Sequence, residues 1–238
     1  MGKTKIRKQV SFDSGLKEVV AEEIKKKKKV GSSSKTAPIL TNRILLIPIH
    51  YALNLAGMFW FGLMENTQKT LLKGALNLAV MQIAYDYLIV RLLKTSAKDS
   101  TNTPLLVIGS IIVCLLLSFP LSVLLIILGA PVTSHLYLTY LLALHLSLIV
   151  INPILVVYQF QLDKFYQSLQ FSNDSQVFKS VILKSSILLS AFLAVLGTWL
   201  GVIPIPLDWD RPWQAWPITL VTGGYTGAFL GGLISCMF

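Results

Sequence analysis

Six stretches of this chain are each about as long as a bilayer is thick, and almost wholly apolar. They are Ile44–Leu63, Leu71–Val90, Leu105–Leu128, Leu136–Val157, Val181–Ile203 and Ile218–Met237. A helix rises about 1.5 Å per residue, so some 20 apolar residues cover a hydrocarbon core of roughly 30 Å. The hydrocarbon offers the backbone no water, and a helix satisfies its own N–H and C=O groups. The pattern therefore predicts an all-α membrane protein, a polytopic bundle of about six transmembrane helices spanning residues 44–238. Pro48, Pro120 and Pro153 fall inside these windows, where each should kink a helix or mark an end.

Residues 1–43 are different in kind. They hold twelve of the 21 basic residues and four of the 11 acidic ones, a net of +8 within a total of +10. The remainder is nearly neutral, which argues against a nucleic-acid-binding domain. The tail cannot bury enough apolar surface to fold alone and reads as disordered, with a short amphipathic helix over Leu16–Ile24 as an option. Its run Lys25–Lys29 reads as a cytosolic topology signal or as a patch for anionic headgroups. No basic region leads directly into a short apolar core, so no cleavable signal peptide is expected. The first span should then act as its own targeting signal.

Charge sets the expected orientation. With a cytosolic tail, the cytosolic segments carry twelve, three and three Lys and Arg, counting Lys184; the opposite side carries Lys69, Lys73 and Arg211. That bias puts both termini in the cytosol and residues 204–217 on the other side. The sequon Asn173-Asp174-Ser175 then faces the cytosol and should stay unglycosylated.

Few residues could carry chemistry. Asp86 is the sole acid within a window, and Gln82 shares its helix face one turn earlier. The pair reads as inter-helix hydrogen bonding or as part of a polar path. His50, His135 and His145 are scattered and make no metal-ligand spacing. Cys114 and Cys236 read as small apolar residues, and Cys236 is one place too late for prenylation. No Ser sits in a nucleophile elbow, and no Gly-rich phosphate loop follows a strand. No catalytic, cofactor-binding or metal-ligating residue is assigned.

Two features remain. Residues 197–217 hold four of the five tryptophans and four of the ten prolines. Trp is favoured at the lipid–water boundary, so Trp209, Trp213 and Trp216 should anchor this loop there. Within it, Asp208 and Asp210 are too few to hold a divalent ion, and Arg211 is expected to pair with one of them and brace the loop. Direct contact with a lipid headgroup is the alternative. The second feature is small-residue spacing: Gly197 and Gly201 in the fifth window, and Gly223, Gly227 and Gly231 in the sixth. Such rows let helices approach closely. They would pack the two spans together or receive a span from another protein.

The run Gly197-x-Trp199-Leu200-Gly201-x-x-Pro204-Ile205-Pro206-Leu207-Asp208-Trp209-Asp210-Arg211-Pro212-Trp213-Gln214-x-Trp216-Pro217, with the Gly-rich span after it, resembles the signature of the PIG-F family. The resemblance implies a role in glycosylphosphatidylinositol (GPI) anchor synthesis in the endoplasmic reticulum membrane. It implies a non-catalytic subunit that stabilises ethanolamine-phosphate transferases of the PIG-O and PIG-G type. Those partners would add ethanolamine phosphate to mannose of the GPI precursor. Pro204, Pro206, Asp208, Trp209, Asp210, Arg211, Pro212, Trp213 and Trp216 would then contact partner or lipid, with contact to the precursor itself left open. A small enzyme acting on lipid phosphates and a lipid carrier remain as alternative readings.

Overall fold

The computed structural model describes residues 46–94, 102–169, 183 and 185–237. The basic tail, the Leu16–Ile24 segment, the sequon and Lys184 lie outside them. Every regular element among the described residues is helical: α1 Ile49–Trp60, α2 Thr67–Lys94, α3 Thr103–Ile127, α4 Leu136–Val157, α5 Leu162–Leu169, α6 Ser186–Leu200 and α7 Ile218–Ser235.

Four helices, α2, α3, α4 and α7, are long and apolar enough to cross a membrane. The first and fifth windows hold shorter helices, α1 of 12 residues and α6 of 15. The chemistry at their ends explains why. Pro48 precedes α1 and disfavours helix at Ile47. At the other end Gly62 takes φ +83°, and the Leu63 N–H turns back to the Met58 carbonyl, a glycine-terminated cap. Ser185 starts α6 by accepting the Leu188 N–H, and Gly201 closes it. α5 falls in the polar connection between the fourth and fifth windows.

α4 is the central post. It is 78% buried along its span, whereas α3 is 17% buried and presents Leu105, Leu116, Phe119 and Ile127 outward. Lipid is as apolar as these side chains, so packing and polar contacts, rather than apolarity, hold the helices together. Two apolar clusters fill the interior. One gathers Tyr51, Leu71, Leu78, Leu142, Leu148 and Tyr225; the other gathers Tyr85, Ile89, Leu106, Val156 and Ile187.

Within α4, Ser147–Ile151 widen into a π-turn just before Pro153. Proline cannot donate to the carbonyl four residues back, that of Ile149. The Tyr51 hydroxyl of α1 donates to that carbonyl at 3.3 Å. Pro120 lies within α3 without ending it.

Candidate functional site: the Trp-rich loop and the helices beneath it

The loop is built on the closest helix pair among the described residues. A methyl group added to Gly197 would fall on the Gly223 carbonyl oxygen, and one on Gly223 would fall on that of Gly197. Gly201 faces the Thr219 carbonyl, Gly227 faces the Leu193 carbonyl, and Gly231 lies against Ser190 Cα at 2.5 Å from where its own Cβ would stand. The Ser190 hydroxyl donates to the Ala228 carbonyl across the same seam. All five glycines singled out from the sequence thus lie between α6 and α7 of one chain. On α7's neighbouring row, Gly224 meets Thr198 and Gly232 meets Pro48.

Above this seam the chain turns through residues 201–217. Tight turns carry it from α6, with Ile205 N–H to the Val202 carbonyl and Leu207 N–H to that of Pro204. Asp210 takes φ +48°, a conformation that Asp tolerates better than most residues. Pro212–Gln214 then form one 3₁₀ turn. Gln214 is the hub. Its Oε1 accepts the Arg211 N–H at 2.8 Å; its Nε2 donates to the carbonyls of Pro204 at 2.7 Å and Leu207 at 2.8 Å. The expected brace between Arg211 and Asp208 or Asp210 is absent among the described residues. Gln214 already satisfies the carbonyls that fix the turn, so the charged groups are not needed inside it.

The tryptophans divide their work. Trp216 is half-buried and donates through Nε1 to Thr139 Oγ1 at 3.2 Å, tying the loop to α4. Trp209 and Trp213 pack with their rings tilted at 56° and 5.8 Å apart, and Trp209 is about half exposed at 55%. Pro206, Asp208, Asp210, Arg211 and Pro212 are exposed, while Pro204 and Trp213 are half-buried. Pro204 and Trp213 also border an apolar groove of about 810 Å³, walled by Phe59 and Met64 of the α1 end, Leu196 and Leu200 of α6 and Leu230 of α7.

A second polar constellation lies inside the bundle. Asp86 is fully buried and accepts from Gln82 Nε2 at 3.1 Å and from Asn152 Nδ2 of α4. Gln82 Oε1 in turn lies 3.3 Å from the Tyr51 hydroxyl, whose one proton it shares with the Ile149 carbonyl, and 3.2 Å from His50 Nε2. Nearby, His145 Nε2 is 3.0 Å from the Leu71 carbonyl, which only accepts, so this nitrogen carries the proton. His145 Nδ1 then accepts from the Tyr225 hydroxyl at 2.7 Å, and that oxygen accepts from Asn54 Nδ2 at 2.8 Å. Asn152, Tyr225 and Asn54 were not legible as partners in the sequence, since they lie on other helices. Cys114 is buried and its thiol points to Asn152 Oδ1 at 3.7 Å. Among the described residues, no three His, Cys, Asp or Glu side chains gather as metal ligands would.

Comparison with known proteins decides the lineage. The model of the GPI biosynthesis protein family Pig-F matches residues 46–236, the whole helical body with its loop. The chain belongs to the PIG-F family. This PIG-F member is 48% identical over 206 residues to glycosylphosphatidylinositol anchor biosynthesis protein 11 of Debaryomyces hansenii, covering 84% of this chain and 86% of the relative. The protein of the same name from Candida albicans is 38% identical over 219 residues, covering 83% and 81%. That of Kluyveromyces lactis is 31% identical over 230 residues, covering 95% and 93%. No solved structure matches. The chain is a helical membrane protein of GPI-anchor biosynthesis.

Proposed function

We propose that this PIG-F member is a non-catalytic subunit that stabilises a GPI ethanolamine-phosphate transferase of the PIG-O or PIG-G type in the endoplasmic reticulum membrane. The observation that carries this reading is the loop's division into a braced inside and an unspent outside. Gln214 and Trp216 hold the backbone in one shape. Asp208, Asp210 and Arg211 face outward with no ion pair among the described residues. A rigid loop with free charges and an exposed Trp is pre-organised for a protein surface, because little ordering cost remains at binding. Trp and Arg are also the side chains that most often dominate such contacts. The apolar groove continues the surface downward, where a partner's membrane helix would lie against Leu196, Leu200 and Leu230.

Affinity purification of the tagged chain in mild detergent tests the proposal. A large polytopic ethanolamine-phosphate transferase should come with it in near-equal amount. Asp208→Ala combined with Arg211→Ala should reduce that recovery several-fold while leaving the yield of the chain itself unchanged. Recovery of the chain alone would remove the subunit reading. If the purified chain then turned over a phospholipid headgroup, and Asp208→Asn with Asp210→Asn abolished it, the small-enzyme alternative would take its place.

A further inference from the structure

Between α1 and the first turns of α2 lies a second cavity, of about 510 Å³, lined by other residues than the apolar groove. Its walls differ in chemistry. Lys69 and Lys73 stand on one of them, one helical turn apart and both exposed. Asn66 adds a side-chain amide beside them, while the Asn54, Thr70 and Asn77 donors that also line the cavity are spent within the chain, on the Gly74, Phe61 and Gly62 carbonyls, the Tyr225 hydroxyl and Asn54 Oδ1.

Two like charges at this spacing repel, at a cost to the helix. Neither ammonium group has an ion pair among the described residues. Glu65, the one carboxylate in the adjoining turn, does not line the cavity. The lysines also sit at the end of the bundle that the charge count leaves almost bare of cations. That end is where Trp60, Trp199 and Trp209 are exposed, marking headgroup depth.

A concave, carboxylate-free wall with two unpaired ammonium groups and the Asn66 amide fits a phosphate oxyanion. We propose that this cavity binds the phosphate group of an anionic ligand at the membrane surface, either a lipid headgroup phosphodiester or a soluble phosphate ester. This inference is independent of the subunit reading, and its test uses the chain purified alone.

The full chain in detergent would be titrated with phosphatidylinositol, with phosphatidylcholine and with sodium phosphate, reading bound lipid and thermal midpoint. Phosphatidylinositol should bind saturably and raise the midpoint, and phosphatidylcholine should not. The double change Lys69→Gln and Lys73→Gln should weaken binding roughly tenfold or more, since each lysine near an anionic surface contributes substantially. Converting Lys25–Lys29 to Gln should leave this component intact, separating it from attraction to the tail.

Gly57→Asp is the second variant. A Cβ there meets nothing within 4 Å, so the change adds a carboxylate to the cavity wall without a clash at that atom, and it should also abolish binding. A midpoint rise with sodium phosphate alone, lost in the lysine variant, would identify a soluble ester as the source; a rise confined to phosphatidylinositol would identify lipid. Unchanged phosphatidylinositol and phosphate binding in the lysine variant would overturn the site.

Discussion

Replacing Gln214 with Ala would strand two carbonyls and one N–H of the loop at a stroke. Two of the three bonds are exposed and the third part-buried, so each is worth about 0.5–1.5 kcal/mol net. The loop should therefore lose its fixed shape, seen as faster proteolysis between Pro204 and Pro212 and a red shift of Trp emission. Gln214→Glu should behave nearly as badly, because a carboxylate keeps the acceptor for Arg211 and loses both donated bonds. Inside the bundle, Asn152→Ala should lower the thermal midpoint in detergent by removing a donor from buried Asp86. The same change in an Asp86→Asn background should cost less, because a neutral amide left without that donor is cheaper to bury than a carboxylate. A double-mutant cycle on unfolding measures the difference. These residue-scale features were only partly legible beforehand. Asp86 and Gln82 stood out because polar groups are rare in the spans, and their shared face was a matter of helical period. Asn152 lies 66 positions away from Asp86, and no local pattern joins them. Gln214 was hidden among Trp and Pro, which draw attention by composition, while the role of a single amide depends on where three backbone groups end up in space. The ion pair expected of Arg211 rested on proximity in sequence alone.

Among the described elements, the α6–α7 seam is the tightest contact and gives the sharpest contrast. Gly223→Ala should destabilise the bundle and lower its yield, since the added methyl would meet the backbone oxygen of Gly197, which cannot move aside. Gly227→Leu should be worse. Gly57→Ala is the counter-example: a Cβ there meets nothing within 4 Å, and relief of glycine's backbone freedom should make it neutral or stabilising by about 0.5–1 kcal/mol. Thermal midpoints of the three variants in one detergent would check the order. The glycine spacing announced a close contact but not its owner, because small rows suit a neighbouring helix in the same chain and a foreign one equally well. Helix lengths were harder still. A hydropathy window measures how apolar a stretch is, and the first and fifth windows are as apolar as the rest. What shortens α1 is backbone chemistry at Pro48 and Gly62, and what reshapes α4 is a π-turn before Pro153 that answers to Tyr51 on another helix.

At the scale of the whole molecule, the charge bias predicts that the Trp-rich loop and both lysines of the second cavity lie on the side opposite the termini. A single Cys placed at Asp210 should react with a membrane-impermeant maleimide only after microsomes are opened, while a tag at the N-terminus should be digestible in sealed ones. Labelling of sealed microsomes at position 210 would reverse the orientation. The described helices are also unequal in length. α3 carries 25 helical residues, or about 38 Å, whereas α1 and α6, which flank the apolar groove, carry 12 and 15, or about 18 and 22 Å. Lipid does not tolerate irregular backbone beside its tails. On the α1–α6 side, then, a bilayer would have to thin or something else would have to take its place. A helix that falls short of the hydrocarbon thickness is one that membrane elasticity pushes toward company.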